Sequence, residues 1–131
     1  MRKTPAKPQV TPGHHNFLGR CELCLSVKNL KKSLAFYEKA GFRRMGGVPE
    51  ERWVILYASN FTLGLFQGYI KSNTMNFRGG DVFAIARHLK SRGLKLKRDA
   101  KVERDGSESA TLTDPDGNDI FFNTYPHERL Y

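Results

Sequence analysis

A carboxylate and two thiols lie close together in the stretch "CELCLSV", residues 21–27. A β-strand places residues i and i+2 on one face, so Glu22 and Cys24 should share a face. There Glu22 could act as a general base, and Cys24 could be a nucleophile if its thiolate were stabilised. No histidine close in the sequence completes such a pair. Catalysis by these two residues is therefore the weaker hypothesis, and a structural salt bridge between Glu22 and Arg78 is the stronger one.

The CxxC spacing of Cys21 and Cys24 is also typical of a redox pair or of half a zinc site. Residues i and i+3 of a strand point to opposite faces, so these two thiols should not meet. No second CxxC and no spaced Cys–His pair completes a metal set. We therefore predict two free thiols, buried or facing a pocket.

The composition favours one compact domain. The chain has 131 residues, 39% of them hydrophobic and 11% aromatic, and no apolar run is long enough to span a bilayer. Residues 1–17 contain three prolines and no periodic pattern, so we expect a flexible tail in which His14 and His15 are solvated. That tail also lacks the apolar stretch of a secretory signal, which predicts a cytoplasmic protein with no membrane partner.

The net charge of +9 raises the possibility of a nucleic-acid partner. The basic residues are scattered through the tail and through residues 94–104, and no helix-turn-helix, zinc finger or aromatic-basic stripe is present. Nucleic-acid binding is therefore not expected, and a small anionic ligand fits the charge better.

The chain repeats one pattern at an offset of 52 residues. Asn29 caps a predicted helix that ends at Gly41, and Asp81 caps another that ends at Gly93. A strand precedes each helix and strands follow it, among them "WVILYAS", "FTLGLFQ", "LKLKRDA", "SATLTD" and "NDIFFNTY". The prediction is an α+β fold of two β-α-β-β-β modules, about 20–68 and 73–125, within one domain at 18–131. The helices should cover the apolar face of the strands, and the mixed faces should bend around a pocket.

Two motifs give the repeat a family resemblance. The stretch "LCLSVKNLKKSLAFYEKAGF", residues 23–42, and the closing hairpin "TDPDGNDIFF", residues 113–122, resemble the vicinal oxygen chelate (VOC) superfamily. That superfamily includes glyoxalase I, extradiol dioxygenases, fosfomycin-resistance proteins and bleomycin-binding proteins. The resemblance implies a cup-shaped mixed sheet with helices on its convex face, often in a homodimer, with a ligand or metal inside the cup.

Metal-dependent members of that superfamily place histidine, glutamine or glutamate at four positions of the cup. The corresponding residues here are Glu22, Gly64, Thr74 and Phe121. Only Glu22 is a hard ligand, and a cation held by one carboxylate stays largely hydrated. We therefore predict neither a metal site nor a cofactor. His88 and His127 are expected outside the cup.

Strand alternation predicts which side chains line the cup. The expected ligand-binding residues are Glu22, Cys24, Trp53, Tyr57, Phe66, Thr74, Asn76, Arg78, Phe121 and Asn123. Their aromatic rings offer stacking surface, and Arg78 could pair with an anionic group. Within the hairpin, Asp114 to Asn118 is expected to be turn scaffold rather than catalyst.

The leading hypothesis is a metal-independent, glyoxalase/bleomycin-resistance-like homodimer that binds a small anionic or aromatic molecule. One alternative is a metal-dependent glyoxalase-, lyase- or dioxygenase-like enzyme whose non-standard site uses Glu22 with His14, His15 or a partner subunit. A second alternative is an interaction module whose basic surface meets an acidic partner. Bleomycin itself is cationic and matches a +9 protein poorly.

Overall fold

The computed structural model describes residues 17–131, and these form one β-α-β-β-β module followed by another. The elements are β1 (Gly19–Ser26), α1 (Leu30–Ala40), β2 (Arg43–Val48), β3 (Trp53–Ala58), β4 (Phe61–Phe66), β5 (Thr74–Gly79), α2 (Val82–Ser91), β6 (Arg98–Val102), β7 (Glu108–Thr113) and β8 (Asp119–Thr124). Two short 3-10 helices cover Pro49–Glu51 and Pro126–Glu128. The predicted α+β class is confirmed.

All eight strands belong to one mixed sheet with the order β2-β3-β4-β1-β5-β8-β7-β6. Within each module the first strand runs parallel to the last, so β1 pairs with β4 and β5 pairs with β8. The modules join where β1 and β5 pair antiparallel, with Glu22 opposite Asn76 and Cys24 opposite Thr74. The centre of the sheet therefore brings together residues from both modules.

Both helices begin and end where the sequence predicts. The side chain of Asn29 accepts a hydrogen bond from the backbone N–H of Lys32 at 3.1 Å, and Asp81 accepts one from Ala84 at 3.1 Å. Gly41 ends α1 in the left-handed region, with φ of 113°, where a side chain would be strained. These local signals fix where each helix lies along the chain.

The helices cover the same face of the sheet. Leu30 and Leu34 of α1 pack on buried residues of β3 and β4. Four residues of α2 are buried, among them Val82 and Ile85, which pack in a second cluster with Phe122 of β8. Alternation then turns the even-numbered residues of β1 to the opposite, concave face, and the predicted face assignment of Glu22 and Cys24 is confirmed.

Two details depart from the sequence prediction. The strand expected at 94–100 begins only at Arg98, because the chain first turns at Gly93 and then extends without strand pairing. Phe17, assigned to the flexible tail, packs on the second core cluster with its ring edge-on to His88 at 5.2 Å. His14 and His15 lie outside the described residues. No helix within 17–131 is long and apolar enough to cross a bilayer.

Candidate functional site

A cavity of about 660 Å³ opens on the concave face, across the junction of the two modules. It is lined by Glu22, Cys24, Phe66, Tyr69, Ile70, Lys71, Ser72, Thr74, Asn76, Arg78, Lys97, Arg98, Thr111, Asp119, Phe121 and Asn123. Eight of the ten residues predicted to bind a ligand are in this set. The volume lies within the range of roughly 300–1,000 Å³ that is usual for small-molecule sites.

Glu22 and Cys24 form the central wall of the cavity from β1. Glu22 is 6% exposed and Cys24 is 5% exposed. The Cys24 thiol donates to Glu22 Oε2 at 3.2 Å. Burial first, and then the charge of Glu22, raise the pKa of the Cys24 thiol well above its ordinary value. The thiol therefore stays protonated at neutral pH, which argues against Cys24 as a nucleophile.

The salt bridge expected between Glu22 and Arg78 is wrong. Arg78 instead donates from Nε to Glu128 Oε2 at 2.9 Å. The register explains the difference, because Glu22 lies opposite Asn76 while Arg78 lies two residues farther along β5. The 3-10 helix after β8 brings Glu128 to that point. Within residues 17–131, Glu22 has no ion-pair partner.

Two asparagine side chains of the lining, Asn76 opposite Glu22 and Asn123 opposite Arg78, also have carbonyl groups without partners. The Oδ1 atoms of Asn76 and Asn123 are buried, and no donor among the described residues reaches either of them. Asn76 as a whole is 7% exposed. An unpaired buried acceptor costs about 1–3 kcal/mol. The inner part of the cavity is thus rich in hydrogen-bond acceptors that the described chain does not satisfy.

Aromatic rings form the wall that the first module contributes. Phe66 lies parallel to Trp53, with ring centroids 6.3 Å apart, and meets Tyr69 edge-on at 6.2 Å. The Tyr69 hydroxyl donates to the backbone oxygen of Glu51 at 2.6 Å, which holds this ring in place. On the other side, Phe121 of β8 faces the same cavity. A planar ligand can stack on such rings.

The four positions at which the superfamily binds metal do not fit a divalent cation here. A Cβ added to Gly64 would lie 2.5 Å from Phe66 Cε2 and 3.2 Å from Glu22 Oε2, so the Phe66 ring occupies the space of a ligand side chain. Thr74 offers only a hydroxyl, and it donates to the backbone oxygen of Ser72 at 3.2 Å. Phe121 offers no donor atom. Among residues 17–131, no three His, Cys, Asp or Glu side chains converge as a metal site.

A second concave cavity of about 550 Å³ lies on the other side of Glu22 and Arg78, which border both cavities. Trp53 lines this second cavity rather than the first. His127 lines it too, so the expectation that His127 lies outside the cup is wrong. The chain returns toward the cup after β8, and the His127 ring stacks on Tyr125 with centroids 5.7 Å apart.

Two other predicted residues are placed apart from the main cavity. Tyr57 lies in a separate surface depression beside Met45 and Phe61 and is 40% exposed. It points to the concave side, but near the outer end of β3. His88 is on α2 and contacts Phe17, outside both concave cavities, as expected.

Sequence reasoning missed the residues at the mouth of the cavity. Tyr69, Ile70 and Lys71 belong to the segment between the modules, which is held across the rim because Ser26 Oγ donates to the Ile70 oxygen at 2.8 Å. Arg98 is the first residue of β6, and Lys97 directly precedes that strand. Lys97 pairs with Asp119 at 3.0 Å. The only available signal was the clustering of basic residues at 94–104.

Comparison with known proteins identifies the fold. No family model matches the chain, and no curated protein matches it in sequence. Among solved structures, it is similar to one described as an NAD-dependent benzaldehyde dehydrogenase from Legionella pneumophila, with a TM-score of 0.66 and 16% identity over 80% of this chain and 98% of that one. It is also similar to a glyoxalase/bleomycin resistance protein/dioxygenase superfamily member from Vibrio splendidus 12B01, with a TM-score of 0.60 and 16% identity over 80% and 97%. The predicted VOC fold is confirmed by this likeness.

Proposed function

We propose that this chain, which has the VOC fold, binds a small organic molecule in its concave cavity without a divalent metal ion. The observation that supports the proposal is the cavity of about 660 Å³ whose lining combines aromatic rings with basic and amide side chains. Small-molecule sites typically combine apolar surface with precisely placed polar groups, and this lining contains both.

The lining favours a ligand with an aromatic or otherwise planar part. Phe66 and Phe121 lie on opposite sides of the junction between the modules and offer ring surfaces to the same space. Trp53 lies parallel to the Phe66 ring and Tyr69 meets it edge-on, so the Phe66 ring is already held in place and stacking on it would require little rearrangement.

The charge of the lining favours an anionic group on the ligand. Four cationic side chains border the cavity against two carboxylates, namely Lys71, Arg78, Lys97 and Arg98 against Glu22 and Asp119. Arg78 and Lys97 already have carboxylate partners, whereas Lys71 and Arg98 have none within residues 17–131. These two residues are exposed at the mouth, where they could meet an anion.

A ligand screen tests the proposal. We would record thermal shifts against a panel of aromatic carboxylates, amino acids and phosphates, and expect at least one to raise the melting temperature. Phe121→Ala and Arg98→Ala should each weaken that ligand's binding. The matched controls are Phe36→Ala and Lys39→Ala, both exposed on α1, which should leave binding unchanged. A panel without any shift would contradict the proposal.

Elemental analysis of the untagged protein tests the absence of a metal requirement. We expect no stoichiometric divalent ion and no loss of ligand binding in a chelator. About one bound ion per chain that Glu22→Ala removes would support the metal-dependent alternative instead. The homodimer and the cytoplasmic location stay predictions.

A further inference from the structure

We infer that the ligand is bipolar, with a hydrogen-bond-donating cationic group, such as an ammonium, at its inner end and an anionic group at the mouth. This inference rests on the proposed function and narrows its ligand class. It follows from an asymmetry in the cavity, whose inner wall holds unpaired acceptors while its mouth holds unpaired cations.

The inner end is defined by the carboxylate of Glu22, which makes no ion-pair contact within residues 17–131. This side chain is 6% exposed and borders both concave cavities, yet its only side-chain hydrogen bond within the described residues comes from the weak thiol donor of Cys24. A buried carboxylate is costly unless a cation or strong donors compensate it. Such a residue in a binding cavity points to a ligand that supplies the compensating donor.

Arg78, which borders the same cavities as Glu22, already has another carboxylate partner. Arg78 donates to Glu128 at 2.9 Å, and its guanidinium also lies over the Tyr125 ring, 5.8 Å from the centroid. These two contacts hold Arg78 toward the C-terminal segment. Among residues 17–131, no cation therefore contacts Glu22, and the position beside its carboxylate is open to a ligand.

The two amides extend the same acceptor surface. Asn76 lies directly opposite Glu22 in the sheet, and its unpartnered Oδ1 belongs to a side chain that is 7% exposed. Asn123, on the neighbouring β8, adds a second unpartnered Oδ1. An ammonium group has three N–H donors, so a group held by Glu22 can also donate to Asn76 Oδ1 once a rotation of that amide turns the oxygen toward the cavity.

The outer end has the opposite polarity. Lys71, from the segment between the modules, and Arg98, from β6, approach the mouth from two sides and are exposed. Both are donors only, so they match a carboxylate, phosphate or sulfonate. Between the two ends lie Phe66 and Phe121, which suit an apolar or aromatic spacer.

Three probes built on the same benzene ring test the inner and outer ends of the proposed ligand separately. The probes are 4-(aminomethyl)benzoate, 4-methylbenzoate, which lacks the ammonium, and benzylamine, which lacks the carboxylate. Titration calorimetry on the full chain should give the lowest Kd for the bipolar probe. We expect each single-ended probe to bind about tenfold or more weakly, because a charge-assisted hydrogen bond is lost.

Glu22→Gln tests which residue reads the ammonium. The change keeps the side chain's size and the acceptor for Cys24, and it should bring the Kd values of 4-(aminomethyl)benzoate and 4-methylbenzoate to within about twofold of each other. The matched control Glu50→Gln makes the same substitution on an exposed 3-10 helix away from the concave face and should preserve the full difference. The comparison of the probes on the unmodified chain is independent of how either variant folds.

The outcomes separate this inference from the proposed function. If 4-methylbenzoate binds as tightly as the bipolar probe, the bipolar ligand is wrong. If Glu22→Gln leaves the ratio of their Kd values unchanged, the inner end of the ligand does not bind at Glu22 and the inference as argued is wrong. An aromatic anion binder still stands in both cases. If none of the three probes binds, the inference fails, and the wider thermal-shift panel decides separately whether the cavity binds ligands at all.

Discussion

The two modules share one framework but give the cavity different chemistry. Each consists of a capped helix and four strands, with the first strand parallel to the last. The first module supplies a buried carboxylate and an aromatic wall, Glu22 and Phe66. The second supplies amides and most of the cations, among them Asn76, Arg98 and Asn123. The two modules therefore share backbone geometry but differ in the side-chain chemistry that they bring to the cavity.

Gly64 in the first module and Phe121 in the second occupy equivalent positions and differ in side-chain chemistry. Each stands in the last strand of its module, where the resemblance implies a metal ligand. In the first module the side chain is absent and the Phe66 ring fills the space. In the second module a ring replaces the ligand. Both changes increase the aromatic surface of the cup, and both remove ligand atoms that a cation would need.

The largest expected effect tests whether the two modules are energetically one unit. Phe122→Ala removes a ring that is 2% exposed and stacked on Phe77 at 5.9 Å in the second module. We expect a loss of about 3–5 kcal/mol in the free energy of unfolding. Trp53, the only tryptophan, reports on the first module. Because the sheet is continuous, urea unfolding followed by its fluorescence and by far-UV circular dichroism should shift together.

Leu63→Ala is the counterpart in the first module and should cost about 2–5 kcal/mol, since Leu63 is also 2% exposed. Different urea midpoints by fluorescence and by circular dichroism, in either variant, would show that the modules unfold independently. The two modules would then be two domains rather than two halves of one domain.

A smaller effect is expected at Gly64, where the first module has closed its ligand position. Gly64→Ala should cost about 1–3 kcal/mol, because the added methyl group would overlap the Phe66 ring. Denaturant unfolding would measure the loss. Gly46→Ala is the matched control, since a Cβ at that glycine meets nothing within 4 Å. In a Phe66→Leu background the cost of Gly64→Ala should shrink, and an unchanged cost would assign it to another neighbour.

The smallest expected effect is a difference in acid sensitivity between the β7–β8 turn and the β3–β4 turn. Hydrogen bonds from the side chain and backbone of Asn118 hold the pKa of Asp114 below its ordinary value. The ionised Asp114 carboxylate, held by these hydrogen bonds, stabilises the folded chain. That stabilisation is present above the unfolded pKa of about 4 and is lost as pH falls through the lower folded pKa. The melting temperature should therefore fall less steeply in acid for Asp114→Asn than for the unmodified chain.

The turn between β3 and β4 has no carboxylate, because Ser59 and Asn60 form it. Asn60→Ala should leave the acid dependence of the melting temperature unchanged. Equal acid slopes for the unmodified chain and Asp114→Asn would contradict the role given to Asp114.

Local signals account for the part of the fold that the sequence predicts. Asn29, Asp81 and Gly41 act within one helical turn, so their effect can be recognised in a short stretch. The repeat predicts a strand after α1, but no stretch marks the bounds of β2, Arg43–Val48, because its side chains are mostly exposed and it contains two glycines and a bulge after Arg44. As an edge strand it pairs only with β3, and no alternation marks it.

The sequence likewise predicts only part of the candidate site. Alternation along β1, β5 and β8 placed Glu22, Asn76 and Phe121 on the concave face. The partner of Arg78 could not be predicted, because Glu128 is 50 positions away and reaches it through an irregular C-terminal segment. Tyr69 and Lys71 were missed for a related reason, since the course of the segment between the modules depends on tertiary contacts such as the one with Ser26.

The central position of β1 has a consequence for how the chain is made. This strand leaves the ribosome before the other strands of the described sheet, yet its neighbours β4 and β5 follow only after α1, β2 and β3. Pairings between distant segments form slowly because a long loop must close first. During synthesis β1 therefore waits with both backbone edges unpaired, and this interval is when another nascent chain could pair with it.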